Sequence, residues 1–418
     1  MDVRNRQLPL QRGVTVAIGA LGCTVLLAGG TAGARPVAGA PVARVAAAGG
    51  GTVLPQIPDG PVAEGKCTKE SARTISQTPW AQKALGLSEV RPLSQGGGVT
   101  VGVVDTGLDA GVAALKGRAS GGGGKDCAGH GTFVAGIVAG AAQDGVGFAG
   151  VAPRARVLGE TVSGADAGAL AGGIEDAVAG GAKVVLVAAS ATESDARLQA
   201  AVDKAAAKDV LVIAGATAGD KGAQAYPGGL SGVLSVAAVG VDGKPYPGRT
   251  GGQSTGASLP RVDLTAPGDR VVSVGPGGGH FTGGGDSVAA AFVAGTAALV
   301  RAHDPGLSAA QVADRLRATA ARGPGAVPDA RFGYGLVDPP GAVGAVSAAA
   351  SGTGARTRTE SAPALDGTYR VPEQPPATSP AVAWAVVGVA ALVSLLVGGA
   401  ALVIPRGRAR GWRPGRLG

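Results

Sequence analysis

The sequence predicts an α/β fold built on a doubly wound parallel sheet, with a signal peptide at the start and one C-terminal transmembrane helix. In the middle of the chain, short β-branched runs alternate with segments of helical periodicity. This alternation is typical of a parallel sheet that helices cover on both faces. Near each end lies a long apolar run without charge, at residues 14–28 and 381–404.

Residues 1–40 are predicted to be a secretory signal peptide. Three arginines lie in the first 13 residues, the apolar run 14–28 follows, and small residues suited to cleavage end at Ala34 or Ala40. A buried helix is the alternative for the apolar run. Residues 41–75 are irregular in composition and are predicted to form an N-terminal extension.

Residues 76–348 are predicted to be the folded domain. Its predicted buried strands are the β-branched runs at 99–104, 156–158, 183–187, 210–213 and 233–239. Its predicted helices include 168–180, 195–208 and 308–320, the last opened by a capping-box pattern of Ser308 and Gln311. In a sheet of this kind, reactive side chains lie at the carboxyl ends of the strands.

The C-terminal part is predicted to anchor the domain to a membrane. Residues 349–380 are rich in Ser, Thr and Pro, which is typical of an extended linker. The uncharged run 381–404 makes a helix about 36 Å long, enough for a hydrocarbon core of roughly 30 Å. Five arginines in the tail 405–418 favour a cytoplasmic C-terminus. We therefore predict a single-pass plasma-membrane protein with its domain outside the cytoplasm, a buried core helix being the alternative for 381–404.

The basic character of the chain belongs to its ends. The formal net charge is +8 and the isoelectric point is near 9.7. Residues 1–13 and 405–418 together carry +7 of that charge, so the part between them is nearly neutral. A nucleic-acid-binding domain needs a basic surface of its own, so no nucleic acid is expected as a partner.

Two cysteines, Cys67 and Cys127, remain after removal of the signal peptide. In an oxidising compartment they form either a disulfide or a pair of buried free thiols, and the residues alone leave both open. No His or Cys lies at metal-ligand spacing from either one. We therefore expect no metal site and no cofactor.

Three residues have the setting that nucleophilic catalysis needs. Asp105 directly follows the predicted strand VTVGVV, and His130 stands at the start of an apolar helical segment. Ser287 follows three glycines and precedes a long apolar run, which places it in the first turn of a buried helix. Such a triad lets the histidine take the serine proton while the aspartate holds the imidazole. The Ser287 backbone N–H then points at the developing oxyanion. A cap, a turn or a structural histidine is the alternative for each residue taken singly.

The segments VVDTG, HGTFVAG and GDSVAAAFVAG, in this order, resemble those of the subtilisin-like serine proteases, peptidase family S8. The resemblance covers roughly residues 75–345 and includes GVAPRARVL, TAPG and FGYGLVDP. It implies the subtilisin-like fold, a polypeptide substrate, and catalytic roles for Asp105, His130 and Ser287.

Within that family the chain resembles the mycosins, membrane-anchored proteases of type VII secretion systems. The shared features are the signal peptide, a TPWAQKALGL-like entry, the Pro-rich linker and the C-terminal span. The resemblance implies type VII secretion subunits as partners. It also implies a disulfide between Cys67 and Cys127 that ties the N-terminal extension to the domain, three residues before His130.

The chain departs from the family pattern beside the nucleophile. Subtilisin-like enzymes generally use an Asn side chain as second oxyanion donor, but the only Asn here is Asn5 in the signal peptide. Thr217 is the predicted replacement, and removal of one such donor costs about 10²–10³ in rate. Asp286 stands where the family has Thr, and Ala291 where it has Pro. Two hypotheses follow: a membrane-anchored serine endopeptidase, or a catalytically weak scaffold that stabilises a secretion complex.

Overall fold

A seven-stranded parallel sheet forms the centre of the fold, with strand order β2-β3-β1-β4-β5-β8-β9. The computed structural model describes residues 53–58, 66–162, 164, 166–218, 223–246, 260–323, 327–345, 406, 410 and 411. The strands are β1 (Thr100–Asp105), β2 (Ala119–Gly121), β3 (Arg156–Thr161), β4 (Val184–Val187), β5 (Leu211–Gly215), β6 (Thr217–Ala218), β7 (Ala223–Gln224), β8 (Val233–Val239), β9 (Leu264–Pro267), β10 (Val271–Val274) and β11 (His280–Gly283). The prediction of a parallel sheet is confirmed.

Helices cover both faces of this sheet, as the doubly wound prediction requires. The helices are α1 (Trp80–Ala84), α2 (Leu87–Val90), α3 (His130–Ala139), α4 (Ala167–Ala179), α5 (Ala196–Ala207), α6 (Asp286–His303), α7 (Ala309–Thr319) and α8 (Pro339–Gly344). On β1, Val103 packs in the apolar cluster of α3 and α6, while Val104 packs in the cluster of α4 and α5. Because successive strand residues face opposite sides, one β-branched run supplies both halves of the core.

The predicted elements and the observed ones differ mainly at their ends. Ser308 is the N-cap of α7 and forms the predicted capping box with Gln311. Strand β5 continues to Gly215, two residues beyond the β-branched run that predicted it. The short β2, β9 and the antiparallel hairpin of β10 and β11 were not predicted, because their Gly, Pro and Ser residues weaken the strand pattern.

The chain divides into one compact unit over Met1–Ala345 and a second over Val346–Gly418. Among the described residues, no helix combines the length and apolarity needed to cross a bilayer. The predicted signal peptide 1–40, linker 349–380 and transmembrane helix 381–404 lie outside the described residues. The domain boundaries given above therefore stay predictions.

Candidate active site

Asp105 is the last residue of β1, at the carboxyl edge of the sheet. Its side chain is buried, with 1% of the residue exposed. Oδ1 accepts a hydrogen bond from the backbone N–H of Thr106 at 2.6 Å. Oδ2 lies 2.6 Å from Nδ1 of His130. One carboxylate oxygen is thus held by the backbone while the other orients the imidazole.

His130 is the first residue of α3 and follows Gly129, whose φ of 78° turns the chain into the helix. The carboxylate of Asp126 holds this turn, because Oδ1 accepts from the N–H of Gly129 at 2.9 Å and Oδ2 from that of Thr132 at 2.7 Å. Burial raises the pKa of Asp126, and the nearby charge of Asp105 raises it further. In the sequence the only sign of this cap is an acidic residue shortly before the start of an apolar helix.

Gly131 allows α3 to approach the loop that follows β1. A Cβ at this position would lie 1.9 Å from the carbonyl oxygen of Gly107 and 3.1 Å from Cβ of Asp105. No side chain fits in that space. The missing side chain therefore lets His130 come within hydrogen-bonding distance of Asp105.

Ser287 is the second residue of α6, the helix that packs against the centre of the sheet. Gly285 precedes this helix with a φ of 108°, a conformation that residues with a Cβ rarely adopt. The Ser287 hydroxyl lies 3.0 Å from Nε2 of His130. Its backbone N–H belongs to the first turn of α6, where the helix dipole favours negative charge.

The structure brings the three predicted residues into one hydrogen-bonded series. With Nδ1 of His130 protonated and bonded to Asp105, Nε2 is the acceptor that faces the Ser287 hydroxyl. Such a series can move the serine proton to the imidazole and stabilise the imidazolium that forms. Among the residues that the structure describes, no group of three or more His, Cys, Asp or Glu side chains is placed to hold a metal ion.

Thr217, the predicted second oxyanion donor, is the first residue of β6. Its hydroxyl donates to Oδ2 of Asp286 at 2.6 Å, and its N–H donates to the same oxygen at 3.0 Å. Oδ1 of Asp286 accepts from the N–H of Ala238 at 2.7 Å. The role of Thr217 stays a prediction, and in this arrangement its hydroxyl hydrogen is given to Asp286.

The N-terminal extension is fastened beside His130. A disulfide joins Cys67 to Cys127, the residue that follows Asp126. Next to the bridge, Thr68 donates from its N–H to the carbonyl of Cys127 at 2.8 Å. Further back, Ile57 is 1% exposed and pairs through its N–H with the carbonyl of Thr282 in β11. The disulfide expected from the resemblance is present.

His280, at the start of β11, is a buried histidine outside the hydrogen-bonded series. Its Nδ1 accepts from the N–H of Ile75 at 3.0 Å, and its ring packs edge-on against Phe148. Burial lowers the pKa of His280, because the charged imidazolium would lose its hydration. His280 therefore has a structural role, joining the entry segment to the hairpin.

Comparison with known proteins gives consistent results. The sequence profile of the subtilase family, Peptidase_S8, matches residues 96–335. Subtilisin DY from Bacillus licheniformis is 37% identical over 241 residues, which are 54% of this chain and 85% of that protein. Mycosin-1 from Mycobacterium tuberculosis is 32% identical over 327 residues, covering 62% of this chain and 72% of that protein. A solved structure of MycP1, titled a serine protease and an essential component of the type VII (ESX-1) secretion system, is 30% identical with a TM-score of 0.57, over 70% of this chain and 96% of that one.

Proposed function

The chain belongs to the subtilase family of serine peptidases, and from this premise we propose that it is a membrane-anchored, extracytoplasmic endopeptidase associated with type VII secretion. Its proposed catalytic residues are Asp105, His130 and Ser287. The observation that carries this proposal is the pair of contacts made by His130, 2.6 Å to Asp105 and 3.0 Å to Ser287. No other described serine combines a histidine contact with the first turn of a buried helix.

In the proposed reaction, Ser287 Oγ attacks the carbonyl carbon of a peptide bond while Nε2 of His130 takes its proton. Asp105 stabilises the imidazolium, and the N–H of Ser287 donates to the oxyanion of the tetrahedral intermediate. The intermediate collapses as His130 gives the proton to the leaving amine. Water, activated by the same imidazole, then hydrolyses the acyl-enzyme and regenerates Ser287. Thr217 is the proposed second oxyanion donor and contributes only when its hydroxyl turns from Asp286.

The proposed location rests on the ends of the chain and on the mycosin similarity. Residues 1–40 supply the signal peptide, 41–75 the extension and 76–348 the peptidase domain, while 349–380 tether that domain to the span 381–404. The tail 405–418 would remain in the cytoplasm because of its five arginines. Partners in a type VII secretion complex are proposed from the similarity to mycosin-1 and MycP1.

A fluorophosphonate probe that cannot cross membranes tests activity and location together. In intact spheroplasts the full chain should be labelled in the membrane fraction, and Ser287→Ala should abolish the label on this protein. A chain that ends after residue 380 is the matched control and should be labelled in the medium instead. Equal labelling of Ser287→Ala would contradict the nucleophile. Labelling of the full chain only after lysis would contradict the orientation.

The second candidate is a catalytically weak scaffold that stabilises a secretion complex by contact. The specific observation in its favour is that Thr217 gives its hydroxyl hydrogen to Asp286, in a chain whose only Asn is Asn5. If the protein is a scaffold, secretion subunits should co-purify equally with wild type and Ser287→Ala, and secretion should persist in the variant. If it is an endopeptidase, its substrate should remain uncleaved in the Ser287→Ala strain.

A further inference from the structure

We propose that Asp286 is a positioning residue, which fastens the first turn of the Ser287 helix to the ends of two neighbouring sheet strands. The inference deepens the proposed function, on which it rests for its effect on catalysis. The sequence alone suggests a different role, a negative charge that disturbs the nucleophile next to it. The contacts of the Asp286 side chain instead indicate that it holds the helix start against the strands, an arrangement called the brace below.

The carboxylate of Asp286 receives hydrogen bonds from two segments, the short strand β6 that follows β5 and the strand β8 of the central sheet. Oδ2 accepts the N–H and the hydroxyl of Thr217, two residues after β5 ends. Oδ1 accepts the N–H of Ala238, the sixth residue of β8. Strands β5 and β8 are adjacent in the sheet, so one side chain ties both of them to the start of α6.

These partners require a group that only accepts. Asp286 is 5% exposed, so a poor match at either oxygen would not be relieved by water. A carboxylate accepts at both oxygens, and its hydrogen bonds are strengthened by charge. An amide of the same shape would direct its NH₂ group at the N–H of Ala238 or at that of Thr217, whichever way it turned. The position in the first turn of a helix also favours negative charge.

The brace fixes the groups that would act in catalysis. Ser287 is the next residue, so the direction of its N–H and its hydroxyl follows the placement of Asp286. The contact is close: a Cβ on Gly215, the last residue of β5, would lie 3.2 Å from the Ser287 nitrogen. Asp286 also decides where the Thr217 hydroxyl points. It thereby controls both the proposed backbone donor and the proposed side-chain donor.

Asp286→Asn tests the brace, with Asp263→Asn as a control for the loss of a buried carboxylate. Asp263 accepts the N–H of Ser235, earlier on the same strand β8, and it also pairs with Arg261 and Arg317. For Asp286→Asn we expect faster hydrogen exchange at the amides of Thr217 and Ala238. We also expect a fall of about 10- to 100-fold in kcat per fluorophosphonate-titrated site, with KM nearly unchanged. Asp263→Asn should lower the Tm without changing kcat per titrated site.

Titration of the active sites with fluorophosphonate distinguishes an effect on positioning from an effect on folding. If Asp286 had only a structural role, Asp286→Asn would reduce the fraction of protein that is labelled and leave kcat per labelled site unchanged. Unchanged exchange at both amides overturns the brace. So does a shifted pH profile of kcat/KM with unchanged exchange, because Asp286 would then act through its charge. Asp286→Thr restores the residue of the family pattern and serves if Asp286→Asn does not fold. A single hydroxyl cannot replace both oxygens, so at least one amide should exchange faster. If wild type is not labelled at Ser287, the proposed function fails, and the exchange data still decide the brace.

Discussion

Gly131→Ala is expected to separate His130 from Asp105. The new Cβ would lie 1.9 Å from the carbonyl oxygen of Gly107. A carbon and a carbonyl oxygen tolerate a separation of about 3.3 Å, so the two segments must move apart by about 1.4 Å. Neither segment has a flexible side chain at this contact that could yield instead, because the clashing atom belongs to the backbone.

The displacement acts on the hydrogen bond next to it. Nδ1 of His130 lies 2.6 Å from Oδ2 of Asp105, and a further 1.4 Å or so would exceed hydrogen-bonding distance. A misplacement of about 1 Å costs on the order of 100-fold in rate, which corresponds to about 2.7 kcal/mol of activation free energy. We expect kcat to fall by about that factor with KM little changed. Stability should fall by about 1–3 kcal/mol from overpacking.

Gly172→Ala is the matched control, because it also replaces a glycine within a helix. A Cβ at position 172 would meet only a guanidinium nitrogen of Arg197 at 4.0 Å. The variant should be more stable by about 0.5–1 kcal/mol, through the higher helix propensity of Ala, with kcat unchanged. Peptide hydrolysis and thermal unfolding of both variants are the assays. A Gly131→Ala enzyme with wild-type kcat and Tm would refute the packing argument.

Two further predictions concern stability. Replacing both Cys67 and Cys127 with Ser removes a cross-link between residues 60 positions apart. In the chain-entropy model this cross-link contributes about 4 kcal/mol to the free energy of unfolding. Calorimetry should therefore show a Tm that is lower by roughly 10 °C. Reduction of wild type should reproduce this fall, and an unchanged Tm would contradict it. Because burial lowers the pKa of His280 from 6.5, the unfolded chain binds more protons than the folded one just below that pH. The free energy of unfolding should therefore decrease as the pH falls below 6.5. His280→Asn keeps an acceptor for the N–H of Ile75 and should weaken this pH dependence, as measured by urea titration at several pH values. A pH dependence equal to that of wild type would contradict the prediction.

The fold was largely predictable because its signal is local. Strand β8 was predicted with its observed bounds, since VLSVAAV is an unbroken apolar, β-rich run. The placement of Asp105 at a strand end and of His130 and Ser287 at helix starts was also predicted, because each residue lies between a glycine-containing turn and an apolar element. Such junctions are encoded within about ten residues of sequence.

The contacts that the sequence did not reveal join distant segments. Asp286 meets Thr217 across 69 residues and Ala238 across 48, and no periodicity links these positions. An acidic residue beside a serine predicts only a charge. Its use as an acceptor depends on two strand ends that become neighbours after the sheet has formed. The same holds for Ile57, whose partner Thr282 lies on a hairpin that the sequence did not predict.

The order of the elements along the chain has a consequence for when the protein acquires activity. Ser287 follows His130 by 157 residues, and its helix α6 packs on β1, β4, β5, β8 and β9. A chain that emerges N-terminus first therefore carries its acid and its base long before its nucleophile. The same helix α6 covers the centre of one face of the sheet, so the site is incomplete until α6 is in place. A chain that has not yet reached Ser287 therefore has no nucleophile with which to cleave a peptide bond.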